Sequence, residues 1–252
     1  MLHGLIKTSL LALALSSGWM LAPAVALEAS EKSEIETVIR DYLLSNPEIL
    51  EEMQMALQAK QEAEAASRSK AVISENSKAI FDAPGDVVLG NPDGDVTVVE
   101  FFDYNCGYCK AAMADMDSIL EEDKNVRFVL KEFPILGPDS MGAHMVAMSF
   151  RELMPEKYGE FHRQLLGGER ANEDVAVHIA TALGADESAL RAGMQDPAIK
   201  DDIREAYRLS DALGIRGTPS YVIGDETVFG AVGVETLEEK IANLRRCDST
   251  VC

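Results

Sequence analysis

The chain has 252 residues, with 43 Asp and Glu against 23 Lys and Arg, giving a formal net charge of −20. Such an acidic surface argues against nucleic acid or an anionic membrane as a partner and favours solubility. The length allows one ordinary domain plus an appendage, and the four cysteines point to redox or metal chemistry.

The N-terminus reads as an export signal. His3 and Lys7 precede the apolar run Ser9 to Leu15, and Ala24-Val25-Ala26 follows Pro23. This spacing predicts a secretory leader over residues 1–26, cleaved after Ala26. A membrane anchor fits less well, because the apolar run is short and Ser16-Ser17-Gly18 interrupts it. The leader holds one Lys and no acid, so its removal takes the charge from −20 to −21. The expected destination is the periplasm, an oxidising compartment where disulfides form.

Residues 27–80 are predicted to be helical. Ser33 and Glu36 can form a capping box for a first helix carrying Ile35, Val38, Ile39, Tyr42 and Leu43 on one face. Asn46-Pro47 stops that helix and starts another, with Leu50, Met53 and Leu57 followed by an alanine stripe at Ala56, Ala59, Ala63 and Ala66. Ile73 and Ile80 continue the stripe at seven-residue steps. So thin a seam cannot bury itself alone, and it predicts a homo-oligomer joined through residues 27–80. The alternative is a helix that folds back on its own domain. Oligomer number stays open.

Asp82-Ala83-Pro84-Gly85 marks the boundary to a main domain over residues 81–252. Strands are predicted at Val87 to Leu89, Val96 to Phe102 and Val126 to Phe133, with a helix from Lys110 to about Glu122 between the last two. Strand, helix and strand in that order imply a parallel, right-handed crossover. Helical periodicity then fills an insertion at about 138–213, broken near Gly167-Gly168, Gly184 and Pro197, with Asp139 or Ser140 as its first cap. A hairpin follows around Gly224-Asp225, and a final helix runs from Val234 to Arg246.

Cys106-Gly107-Tyr108-Cys109 lies between the strand ending at Phe102 and the helix that follows. Two cysteines so spaced can form a redox-active disulfide, and no cofactor is needed. Cys106 falls at a helix N-terminus, where free N–H groups and the dipole favour a thiolate. It is the expected nucleophile, with Cys109 resolving the mixed disulfide. Glu100 sits in a run too apolar for an open face. It reads either as a buried acid relaying protons to Cys109 or as a strand-end acid satisfied by Lys131. His144, His162 and His178 lie far along the chain from the dithiol and read as surface or helix-packing residues. Met141, Met145 and Met148 read as core, not as a copper-binding box.

Local pairing of the cysteines joins Cys106 to Cys109 and Cys247 to Cys252. The second pair reads as a structural disulfide, with an auxiliary redox pair as the alternative. A rival from another class is a zinc- or copper-binding thiolate protein using all four cysteines. It leaves the leader unexplained, and the spacing of the second pair suits zinc poorly.

Gly217-Thr218-Pro219 precedes the hairpin. Strand, CxxC, helix, strand, helical insertion, Thr-Pro, hairpin and final helix together resemble an α/β thioredoxin-like fold of the DsbA type. Glu100-Phe101-Phe102 and Lys131-Glu132-Phe133-Pro134-Ile135-Leu136-Gly137-Pro138 extend the likeness. With Ile39-Arg40-Asp41-Tyr42-Leu43-Leu44 and Asn46-Pro47-Glu48, the chain resembles the ScsC group of exported disulfide isomerases. The resemblance implies a cis Thr218-Pro219 bond lying against the dithiol and lining a peptide-binding groove. It implies unfolded or misfolded exported proteins as substrates, and a membrane redox partner that resets the dithiol. Dedicated oxidases of this type carry Pro-His between the cysteines, whereas Gly107-Tyr108 is similar to the isomerases and brings no nearby positive charge. The expected potential lies between thioredoxin's roughly −270 mV and DsbA's roughly −120 mV. A monomeric dithiol oxidase is the alternative function.

Overall fold

A computed structural model describes residues 28–252, so the predicted leader and its end at Ala26 lie outside the described residues. The described residues divide into two units, one ending at Gln58 and one over Ala59–Cys252.

The first unit is helical over its described residues. Helix α1 (Ala29–Ser45) starts earlier than the sequence suggested. Its capping contact is made by Glu31, whose carboxylate accepts the Glu28 N–H at 3.0 Å. The Ser33–Glu36 box is not used, because Ser33 already lies inside the helix, its carbonyl accepting the Thr37 hydroxyl. The Asn46 side chain donates to the Tyr42 carbonyl at 2.7 Å and ends α1, and α2 (Glu48–Glu75) follows Pro47. Ile35, Val38, Ile39, Tyr42 and Leu43 recur at helical spacing on α1, and all are exposed. Leu50, Met53 and Leu57 of α2 are exposed as well.

The second unit is organised by β2 (Val96–Phe102), which is apolar almost throughout because it is buried on both faces. It lies parallel to β3 (Val126–Glu132), in register from Val96 opposite Val126 to Phe102 opposite Glu132. The crossover between them is α4 (Gly107–Glu122). β1 (Val87–Gly90) adds antiparallel to β3, β4 (Ser220–Ile223) antiparallel to β2, and β5 (Glu226–Phe229) closes a hairpin on β4. The sheet order is β1-β3-β2-β4-β5. At the hairpin turn Gly224 has φ 53°, and a Cβ there would stand 2.4 Å from the Leu244 side chain. Glycine adopts that backbone without steric cost and spares the Leu244 side chain a shift.

Side chains alternate across the sheet, so β2 feeds two cores. Val98 and Phe102 face α4, the last helix α10 (Val234–Cys247) and part of the insertion, where Met116, Ile119, Phe150, Phe161, Leu237 and Ile241 are buried. Val99 and Phe101 face the other way, onto Leu209 and Leu213 of α9 (Pro197–Leu213). That second face also takes Ile73 from α2 and Ile80 from α3 (Ser77–Phe81), which are 4% and 0% exposed. The seam reading therefore does not extend to Ile73 and Ile80. Their period matches the alanine stripe, but an apolar row on the sheet needs cover and they supply it.

The insertion consists of α5 (Pro138–Leu153), α6 (Tyr158–Gly167), α7 (Glu173–Ala182), α8 (Glu187–Gly193) and α9. A break at Met154-Pro155 joins those expected, since proline ends α5. The cap of α5 is Gly137 with Pro138 in the first turn, in place of Asp139 or Ser140. Among the described residues no helix is long and apolar enough to cross a membrane.

Candidate active site

The pairing Phe101 opposite Ser220 brings the C-terminal end of β2 beside the start of β4. The two segments outside those strand ends therefore meet: the Asp103–Cys106 link to α4, and Gly217-Thr218-Pro219. Thr218-Pro219 is cis. The Cys106 thiol donates to the Thr218 carbonyl at 3.1 Å. Cys106 is the N-cap residue of α4, and its N–H bonds the Asp103 carbonyl at 3.0 Å. Both dithiol cysteines are free thiols, Cys106 7% exposed and Cys109 fully buried. Only Cys106 offers an approach to an outside sulfur.

Glu100 lies opposite Leu130 and Tyr221 on the face that also carries the dithiol. Its register separates it from Lys131, which lies opposite Phe101 and points to the second face. Lys131 instead donates to both Asp86 carboxylate oxygens, at 2.7 and 2.6 Å, and to the Ala79 carbonyl. The reading of Glu100 as an acid satisfied by Lys131 is thus excluded by strand alternation. Burial, with a smaller push from the Asp115 charge, raises the Glu100 carboxyl from the ordinary value to about 8. Burial likewise pushes the Cys109 thiol well up, and the Glu100 charge adds to it. Both groups are buried, and burial holds each toward its protonated form.

A raised carboxyl means that the folded state holds its proton to higher pH than the unfolded chain. The stability this gives is complete below the unfolded value of 4.5 and is lost as pH rises through about 8. Each pH step between those two values is worth about 1.4 kcal/mol, so the loss is on the order of a few kcal/mol. Glu100→Gln should flatten that decline, so that its stability exceeds that of the parent most clearly near pH 9. Urea unfolding at pH 5 and pH 9 checks this; equal slopes for parent and variant would contradict it.

The link before Cys106 holds residues that the sequence reading missed. Asp103 is fully buried and accepts four bonds: from the Ile135 and Leu136 N–H groups at 2.8 and 3.0 Å, the Asn105 N–H at 2.8 Å and the Ser140 hydroxyl at 2.7 Å. Asn105 exchanges bonds with the Ala171 backbone, donating at 2.9 Å and accepting at 2.9 Å. Tyr104 gives its N–H to His144 at 3.2 Å. The insertion thus grips all three residues ahead of the nucleophile. One signal was present in the sequence: polar residues at the end of a buried strand must find partners. His144 and His162 are buried under this link, whereas His178 is exposed. Met148 is buried and Met141 and Met145 pack around it with Ile199 and Ile203, as core residues do.

Cys247 and Cys252 are bonded to each other, with S–S 2.01 Å, across the C-terminal end of α10. That bond removes two of the thiolates that a four-cysteine metal site needs, so the zinc or copper alternative does not fit the structure. Among the described residues no group of His, Cys, Asp and Glu is arranged to hold a metal ion.

Residues 97–242 match the family described as DSBA-like thioredoxin domain, and residues 31–64 match the one described as copper resistance protein ScsC N-terminal domain. A thioredoxin-like oxidoreductase from Silicibacter pomeroyi DSS-3 is 41% identical, covering 68% of this chain and 98% of its own, with a TM-score of 0.64. The thiol-disulfide exchange protein alpha-DsbA2 from Wolbachia pipientis is 30% identical over 71% of this chain and 97% of its own, with a TM-score of 0.66. Proteus mirabilis ScsC in a transitional conformation is 29% identical, with a TM-score of 0.60, over 84% of this chain and 94% of that one. Matched over more than half its length, with a dithiol at a helix N-terminus against a cis Thr-Pro, the chain belongs to the DsbA-like thioredoxin-domain family of thiol-disulfide oxidoreductases.

Proposed function

We propose that this oxidoreductase is an exported, periplasmic disulfide isomerase acting on misfolded or unfolded exported proteins. The observation that carries the reading is the pairing of one dithiol domain with a helical unit whose apolar stripe is exposed. Tyr42 is 60% exposed and Leu50 62%, and contiguous apolar surface of this kind marks an interaction site. Homo-oligomerisation through the helical segment would cover it and set several dithiols around one substrate. The Cys247–Cys252 bond supports an oxidising compartment.

In the proposed cycle Cys106, as thiolate, attacks one sulfur of a wrong substrate disulfide. A Cys106–substrate bond forms, the substrate S–S bond breaks, and the freed substrate thiolate takes a proton. A second substrate thiolate can then attack the mixed disulfide, forming a new substrate disulfide and returning Cys106 as thiolate with no net oxidation. If none arrives, Cys109 attacks Cys106 and the substrate leaves reduced. The Cys106–Cys109 disulfide so formed must be reduced again by a membrane redox partner. Glu100 in its ionised form, the minor one below a pH of about 8, takes the Cys109 proton as that thiol attacks and gives it back on reduction. Thr218 and Pro219 line the groove in which the substrate strand lies.

Gly107-Tyr108 places no positive charge beside Cys106, so the reduced form gains less than in a strong oxidant. Equilibration with glutathione buffers should give a potential between roughly −270 and −120 mV. A value at the oxidising end, near −120 mV, would favour the dedicated oxidase instead.

A further inference from the structure

Outside the dithiol, one connected chain of buried polar groups ends two residues before Cys106. Glu132, the last residue of β3, lies opposite Phe102 and is almost fully buried. Both its oxygens are engaged: the Tyr158 hydroxyl donates to Oε1, and His144 Nδ1 bonds Oε2. His144, fully buried on α5, uses Nε2 for the Tyr104 N–H at 3.2 Å. A ring nitrogen that accepts an N–H carries no proton, so the hydrogen of the neutral imidazole sits on Nδ1 and goes to Glu132. The remaining directions follow. Tyr158 has given its hydrogen to Glu132, so it accepts from Tyr104 at 3.0 Å, and Tyr104 accepts from His162 Nδ1 at 3.3 Å. The His144 ring is also wedged between Phe102 and Tyr104, with centroids 5.2 and 4.6 Å apart.

We infer that His144 is a positioning residue for the Cys106 thiol, with Glu132 fixing its tautomer so that Nε2 holds the Tyr104 peptide. That peptide is the middle one of the link between β2 and α4. The Cys106 N–H hangs from Asp103 in the same link, and its thiol must stay within reach of the Thr218 carbonyl. Freeing the Tyr104 N–H leaves a buried donor unpaired, and the link shifts to recover a partner. A displacement of an ångström at a nucleophile can cost up to about a hundredfold in rate. The carboxylate acts only through the imidazole, as orienting carboxylates do behind histidine ligands. None of these groups touches substrate.

The inference rests on Cys106 being the attacking thiol, and the test separates the two. His144→Asn keeps an amide donor for Glu132 but offers no acceptor at the Tyr104 N–H. His144→Gln reaches further and restores that acceptor. Iodoacetamide alkylation of the reduced full chain, with peptide mapping, gives the Cys106 rate, and equilibration with glutathione gives the dithiol constant. His144→Asn should slow Cys106 alkylation and shift the constant by roughly tenfold or more. His144→Gln should recover most of both, even where the two variants lose similar stability to urea. Tyr158→Phe, which removes one donor from Glu132 and leaves the His144 contacts, should lower stability with little change in rate. If Asn and Gln behave alike, or Tyr158→Phe slows Cys106 as much as His144→Asn, the network is only structural and the inference is overturned. Wild-type labelling first at Cys109 would overturn the attacking-thiol assignment itself, and the inference with it.

Discussion

Cys106→Ala should reduce disulfide exchange to the uncatalysed background, whereas Cys109→Ala should accumulate mixed disulfides with substrate. The asymmetry follows from where the two sulfurs sit. Cys106 caps α4, keeps 7% of its surface open, and lies on the Thr218 carbonyl. Cys109 is one turn in and sealed, and burial keeps its proton on. A sealed, protonated thiol cannot attack an outside disulfide but can meet a mixed disulfide already formed on its neighbour. Non-reducing electrophoresis with mass mapping checks this: adducts should form on Cys109→Ala through Cys106, and none on Cys106→Ala. Adducts on Cys106→Ala would reverse the two roles.

How much of this was readable in advance depended on whether the signal was local. The strands from Val96 to Phe102 and Val126 to Glu132, the helix after Cys106 and the hairpin at Gly224-Asp225 follow from apolar runs, turn residues and spacing. Chain order placed Cys106 and Cys109 at the start of α4, but that Thr218-Pro219 lies against them was implied only by the family resemblance; the sheet brings the ends of β2 and β4 together. Glu132 and His144 were not legible as a pair. They are 12 residues apart on different elements, and only the tertiary fold brings them to each other and to Tyr104. Ile73 and Ile80 misled for the opposite reason: a correct local period says that a face is apolar, not what covers it. Choosing between Lys131 and burial for Glu100 needed the strand register.

Removing residues 28–58 should turn an oligomer into a monomer that loses isomerase activity far more than dithiol oxidase activity. The residues removed carry the exposed stripe of Ile35, Val38, Ile39, Tyr42, Leu43, Leu50, Met53 and Leu57. The residues kept hold both sheet cores, with Ile73 and Ile80 among them. Linked copies raise the local concentration of Cys106 around one substrate, a gain that can reach about a hundredfold or more and disappears with the linkage. A monomer has no such gain, and its dithiol is open to oxidation by whatever recharges monomeric oxidases. Light scattering on both forms, with both assays alongside, tests the link between assembly and activity. A full chain already monomeric, or a truncated chain as active on wrong disulfides, would remove the helical unit from the account.

Reactivation of scrambled ribonuclease by the full chain, compared with its oxidation of reduced ribonuclease, tests the central claim most directly. The account predicts that catalytic amounts of reduced protein restore ribonuclease activity from the scrambled form. It also predicts slow oxidation of the reduced form, with the first activity lost in Cys106→Ala. Fast oxidation of reduced ribonuclease, with scrambled enzyme left inactive, would contradict the account and make the protein an oxidase.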